Sequence, residues 1–226
     1  MQYLIVVAHP DDEVLGAGAS IHKWTKEGSD VAVCILSGLA KARAFRPEDT
    51  ELQADRDAAL DLLGVSKRFA GDFPNIELNT VPHLHLVQFI EKAILETAPD
   101  VIVTHHAADP NNDHLHASLA CQAAVRLFQR RTDVKPLRRL LFMEVLSATE
   151  WNVNRSLVPF NPNVFIQVGA SGVEEKLRAL SLYRGVMRDY PHPRSAEAVR
   201  GLAAYRGAQA GLQYAEAFES AFERIL

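Results

Sequence analysis

The stretch from Gln2 to Glu13 reads QYLIVVAHPDDE, and its two parts obey different rules. Residues 2–8 form a short, continuous apolar run rich in Val and Ile, as expected of a strand buried on both faces. Residues 9–13 then place one imidazole and three carboxylates at the carboxyl end of that strand. Without a cation, carboxylates this close repel each other and resist ionising. A polar turn in which Asp11 or Asp12 caps the next helix needs only one of them. It leaves the other carboxylates and His9 unexplained.

Outward from this stretch, apolar spacing predicts helix over residues 14–26, 46–63, 81–97 and 114–130, with strands at 31–36, 67–70 and 101–104. Strands alternating with helices imply right-handed crossovers, and hence a Rossmann-like, doubly wound α/β fold. Its sheet is mostly parallel, with helices on both faces. The later chain is less regular. Two more strands are expected at 139–145 and 164–168. Ser171 to Glu174 reads as a capping box opening a helix to about residue 186. The loop 189–194 holds two prolines, and Ser195 caps a last helix through residue 211. A tail follows, anchored by Tyr214, Phe218 and Phe222. No repeat, low-complexity stretch or linker divides the 226 residues, so a single domain over 1–226 is expected.

Composition narrows the function. A formal net charge of −4 gives no broad basic field, which argues against nucleic acid as a partner. The one cationic cluster, Arg130 and Arg131 with Lys135, Arg138 and Arg139, sits near a helix end, where cations are at home. No apolar run approaches the roughly 20 residues needed to span a bilayer. The first strand begins too early to leave room for a signal peptide. Cys34 and Cys121 lie apart in apolar stretches and read as buried thiols. Together these features predict a cytoplasmic protein.

The strand at 101–104 ends in THHAADPNNDH, residues 104–114. In a doubly wound sheet the first and fourth strands are neighbours, and ligands bind in the crevice at their carboxyl ends. Topology alone therefore brings two polar clusters together. Imidazole and carboxylate suit Zn²⁺, which in catalytic sites keeps three protein ligands and an open position. His9 and Asp12, at i and i+3 in a turn, point the same way, and His114 completes the set. Asp11 is left beside the open position, where it can act as a base.

These residues resemble the LmbE-like or PIG-L superfamily of zinc-dependent N-deacetylases. AHPDDE and THHAADPNNDH carry the likeness. Asp72-Phe73-Pro74-Asn75 and Tyr214-Ala215-Glu216-Ala217-Phe218 add to it. The resemblance implies one Zn²⁺ per chain on His9, Asp12 and His114, with Asp11 as the base. It implies hydrolysis of the acetamide on an N-acetylglucosamine-type sugar or conjugate, and a homo-oligomer such as a hexamer. Many relatives have a second histidine three residues before the last metal ligand, where this chain has Asn111. An amide donates a hydrogen bond to an oxyanion but is no general acid near neutral pH. Either another donor does that work, with His192, held between two prolines, the best candidate, or Asp11 shuttles the proton back itself. Arg194, Arg43 and Asp72 are candidate substrate contacts, and Asp113 and His106 candidate supports for the metal ligands.

Competing readings are an amidase acting on a sugar–thiol or larger acyl conjugate, a metal-storing relative, and a non-catalytic nucleotide- or phosphate-binding module. The last calls for a glycine-rich turn after the first strand. HPDDE stands there instead, and carboxylates repel phosphate.

Overall fold

The computed structural model describes residues 1–38, 48–153 and 158–225. The central strand β1 (Gln2–Val7) pairs in parallel with β2 (Asp30–Ile35) on one side and β4 (Val101–His105) on the other. Beyond β2 lies β3 (Lys67–Ala70), also parallel, and beyond β4 lies parallel β5 (Arg139–Met143). Two strands complete the sheet, β6 (Val164–Gln167) and β7 (Ala215–Glu223). The order is β3-β2-β1-β4-β5-β7-β6, with β7 antiparallel to both neighbours. This is the expected doubly wound, mostly parallel arrangement.

Period-two alternation along the strands divides the core into two layers. Ile5, Val7, Val33 and Val103 face α1 (Asp12–Lys26), α2 (Asp49–Leu62), α6 (Gly169–Leu182) and α7 (Ala196–Gln209). Leu4, Val6, Cys34 and Ile102 face α3 (His83–Thr97), α4 (Asn112–Ala124) and the short α5 (Leu127–Arg130). Cys34 and Cys121 are free and buried in this second layer, and burial pushes both thiols up, away from the thiolate form. Among the described residues, no helix is long and apolar enough to cross a membrane.

The later chain departs from expectation. The tail is a nine-residue strand, β7, inserted between β5 and β6. It satisfies backbone groups that β5 would otherwise leave unpaired at a sheet edge. The capping box at Ser171 is not used. Instead α6 starts at Gly169 after Val168, which is buried and makes no side-chain cap, so packing sets the entry. The helix ends at Leu182, short of residue 186. The helix expected at 114–130 starts earlier, at Asn112, because the Asn111 side chain caps it by accepting from Asp113 N at 2.9 Å. It is also split into α4 and α5.

One buried ion pair joins three of these elements. Glu216 of β7 accepts from the backbone N–H groups of Ala19 and Ser20 in α1, at 3.1 and 2.7 Å. Lys176 of α6 donates to Glu216 Oε1 and to the Leu15 carbonyl, both at 2.7 Å. Both carboxylate oxygens and the ammonium thus have hydrogen-bond partners, the condition under which a buried pair is tolerated.

Candidate metal centre

The turn after β1 is shaped by Asp11, whose φ of 105° lies in the left-handed region that non-glycine residues rarely adopt. It caps α1 with its backbone, its carbonyl accepting from Val14 and Leu15 N–H. The left-handed residue separates the two neighbouring carboxylates. Asp12 turns back so that its Oδ2 accepts from His9 N at 2.9 Å and lies 3.2 Å from His9 Nδ1. Asp11 turns into a pocket of about 170 Å³ at the carboxyl ends of β1 and β4.

His114, in the first turn of α4, closes the set with Nε2 3.3 Å from Asp12 Oδ2. One ligand atom each from His9, Asp12 and His114 lies within 4.8 Å of the others, and all three residues are buried. The far nitrogen of each imidazole is held by a carboxylate. His9 Nε2 lies 2.9 Å from Asp113 Oδ2, and His114 Nδ1 lies 2.9 Å from Asp109 Oδ2. Such partners fix ring orientation and tautomer in metal sites, leaving the near nitrogens for an ion. Both carboxylates are themselves tied down. Asp113 accepts from Ile76 and Leu78 N–H, and Asp109 accepts from Thr149 Oγ1 and Asn111 N–H. The donor set therefore fits a cation of zinc's character.

The electrostatics agree. Burial alone would lower His114, but Asp12 and Asp109 outweigh it and raise it to about 10. His9 is likewise raised, the hydrogen bonds of Asp113 and Asp12 prevailing over burial. Asp12 is held well below its usual range, against burial, chiefly by His114. The carboxylates thus favour positive charge on the His9 and His114 side, the charge that a divalent cation would supply there.

The remaining candidates divide. Asn111 lines the pocket. Its Oδ1 is occupied by the cap to Asp113 N, so its Nδ2 is the end available to a ligand. Arg194 also lines the pocket, with Nη1 3.2 Å from Asp11 Oδ2 and Nε 2.7 Å from Ser147 Oγ. His192 does not line it. It is exposed, and its Nδ1 accepts from Arg194 N at 3.0 Å, so it braces the loop that carries Arg194. Asp72 is exposed beside its bridge to Ser37, and Asn75 and Ile76 form that wall instead. His106 turns away, between Phe142 and Phe160, with Nε2 3.5 Å from Glu219. Alternation along the strand end sends it to the opposite side from His105. Arg43 lies outside the described residues.

His105 is the support that the sequence reading did not single out over its neighbour. Its ring stacks on His114 at 3.9 Å, and its Nε2 accepts from Ala8 N at 2.9 Å. Burial, with the His114 charge, lowers it to about 3, so it stays neutral. Asp109, Thr149 and Ser147 were also missed. Asp109 stood in the quoted motif without a role, whereas nothing local marked the other two.

Residues 4–125 match the family described as PIG-L: GlcNAc-PI de-N-acetylase. A 1D-myo-inositol 2-acetamido-2-deoxy-alpha-D-glucopyranoside deacetylase from Mycolicibacterium vanbaalenii is 31% identical over 154 residues, covering 54% of this chain and 53% of that protein. The chain thus spans about half the length of this curated relative. The conserved protein TT1542 from Thermus thermophilus is 26% identical with a TM-score of 0.80, covering 100% of this chain and 97% of that one. GalB, the 4-carboxy-2-hydroxymuconate hydratase from Pseudomonas putida KT2440, is 22% identical with a TM-score of 0.74, covering 100% and 98%. At that identity the likeness shows the fold alone.

Proposed function

We propose, from the premise that this chain belongs to the PIG-L (GlcNAc-PI de-N-acetylase) family, that it is a zinc-dependent hydrolase. Its reaction is removal of the acetyl group from an N-acetylglucosamine-type sugar or sugar conjugate, releasing acetate. The observation that carries this reading is the meeting of His9, Asp12 and His114 within 4.8 Å, with Asp11 directed into the same pocket. His9 Nδ1, Asp12 Oδ2 and His114 Nε2 would hold one Zn²⁺ per chain. Bound there, zinc polarises the amide carbonyl and makes the attacking water more acidic.

The chain's own groups do the rest. The Asp11 carboxylate takes the proton of the attacking water, and Arg194 and the turn fix its direction. Asn111 presents its Nδ2 to the oxygen that becomes negative when the carbonyl carbon turns tetrahedral. Among the described residues, no histidine lines the pocket apart from the two ligands, so Asp11 also returns its proton to the departing amine nitrogen. Arg194 is the one cationic side chain among the described residues lining the pocket, and it is the group to receive an anionic part of the substrate.

Acetate release from a panel of N-acetylglucosamine conjugates by the zinc-loaded protein tests this reading. The panel includes inositol, nucleotide and lipid-linked forms, and matched compounds with larger acyl groups. Release from at least one N-acetyl compound, abolished by a chelator and restored by zinc, is expected. Cleavage confined to the larger acyl groups would make the chain an amidase of different specificity. No amine released from any member, at full zinc occupancy, would overturn the proposal.

A further inference from the structure

Glu13, the residue after Asp12, is fully buried, does not line the pocket, and has no part in the chemistry above. Its two oxygens are both engaged. Oε2 accepts from the backbone N–H of Asp11 at 3.1 Å, and Oε1 lies 2.5 Å from the Tyr183 hydroxyl. Tyr183 is itself 1% exposed, at the end of α6. The next residue is tied to a third element, since Arg184 N donates to Asp55 Oδ2 of α2 at 3.1 Å, and Asp55 is buried. A continuous line of contacts therefore runs from α2 through the end of α6 to the peptide of Asp11.

That peptide needs holding. Asp11 is one of four described non-glycine residues in the left-handed region, with Ile76, Ala98 and Ser147, and all but Ala98 line the pocket. Strained backbone persists at such sites only where surrounding contacts impose it. Relaxing φ of Asp11 towards ordinary values would turn its carboxylate from its present direction in the pocket, whereas the Asp12 carboxylate has its own tie to His9 N at 2.9 Å. The pair of adjacent carboxylates thus keeps separate directions only while the Asp11 peptide is fixed.

We propose that Tyr183, acting through Glu13, is a positioning residue that holds the Asp11 peptide in its left-handed conformation and so aims the base. This rests on Asp11 being the base, as proposed above. Tyr183→Phe removes one oxygen and keeps the ring, and is measured on the zinc-loaded full chain. The expected result is unchanged zinc content, KM within about twofold, and kcat lowered about 10- to 100-fold, the scale of a misplaced catalytic group. Amide hydrogen exchange at Asp11 N–H is expected to quicken by about tenfold or more. Glu13→Gln keeps an oxygen for the Asp11 amide and an N–H for the Tyr183 oxygen, and is expected to retain most of kcat.

Wild-type kcat and wild-type Asp11 exchange in Tyr183→Phe would overturn the proposal. So would loss of zinc from that variant, which would place Tyr183 in support of the metal. The exchange measurement needs no turnover, so it separates the two readings. Full activity in Asp11→Asn would sink the base assignment and leave the exchange result standing.

Discussion

Residues up to the end of α4 and residues from β5 onward build the same pocket in different ways. The earlier part supplies His9, Asp11, Asp12, Asp109, Asn111, Asp113 and His114, all at the carboxyl ends of two adjacent parallel strands. The later part supplies no metal ligand among the described residues. It supplies Arg194 and Ser147 at the pocket wall, Thr149 behind Asp109, and Tyr183 behind Glu13. In the proposed reading, the first region would hold the ion and the second aims what surrounds it. The family match ends at residue 125, near the boundary between the two. The comparison teaches that the candidate ligands meet through the pairing of two adjacent strands, whereas direction at the site is imposed by contacts from elements later in the chain.

The first way to sharpen that comparison is to cut the link between the regions at Asp109, which takes His114 on one side and Thr149 on the other. Asp109→Asn is expected to weaken zinc affinity about 10- to 100-fold, the usual cost of losing a carboxylate behind a metal-binding histidine. Competition titration with a chromophoric chelator measures it. An unchanged affinity would mean that neither Asp109 nor Thr149 behind it supports the ion. The pH dependence carries the same information. His114 is raised from 6.5 to about 10 in the metal-free protein, so a proton competes with the ion across that range. Zinc affinity should therefore rise with pH up to about 10. In the metal-free protein the stabilisation from protonated His114 has the opposite trend. It is complete below pH 6.5, and it is lost as pH rises through the folded value.

A smaller effect is expected at His192. Its place outside the pocket makes it a brace for the Arg194 backbone, so His192→Ala should change kcat by no more than about twofold, as for other surface changes. A loss of about 100-fold or more would restore it as a general acid.

Much of the fold was legible because buried parallel strands announce themselves as continuous apolar runs, and Gln2–Val7, Asp30–Ile35 and Val101–His105 all do. The meeting of His9, Asp12 and His114 was legible because they are local to two strand ends that the topology makes neighbours. What escaped reading was non-local. Strand β7 alternates small and charged residues with two phenylalanines, a pattern shared with an exposed tail. Its pairing depends on where β5 ends the parallel half. His105 and His106 are indistinguishable in composition, and only strand alternation and the packing of Phe142 and Phe160 decide which of them meets His114. Tyr183 stands far along the chain from Asp11, and no spacing rule connects them.

The central claim is that His9, Asp12 and His114 hold a zinc ion beside Asp11. Metal analysis of the purified protein and of His114→Ala, each equilibrated with zinc and freed of excess, tests it most directly. The account predicts about one tightly held zinc per chain in the parent protein and none in the variant, as removal of one of three ligands requires. Equal zinc, held with equal affinity, in both proteins would contradict it.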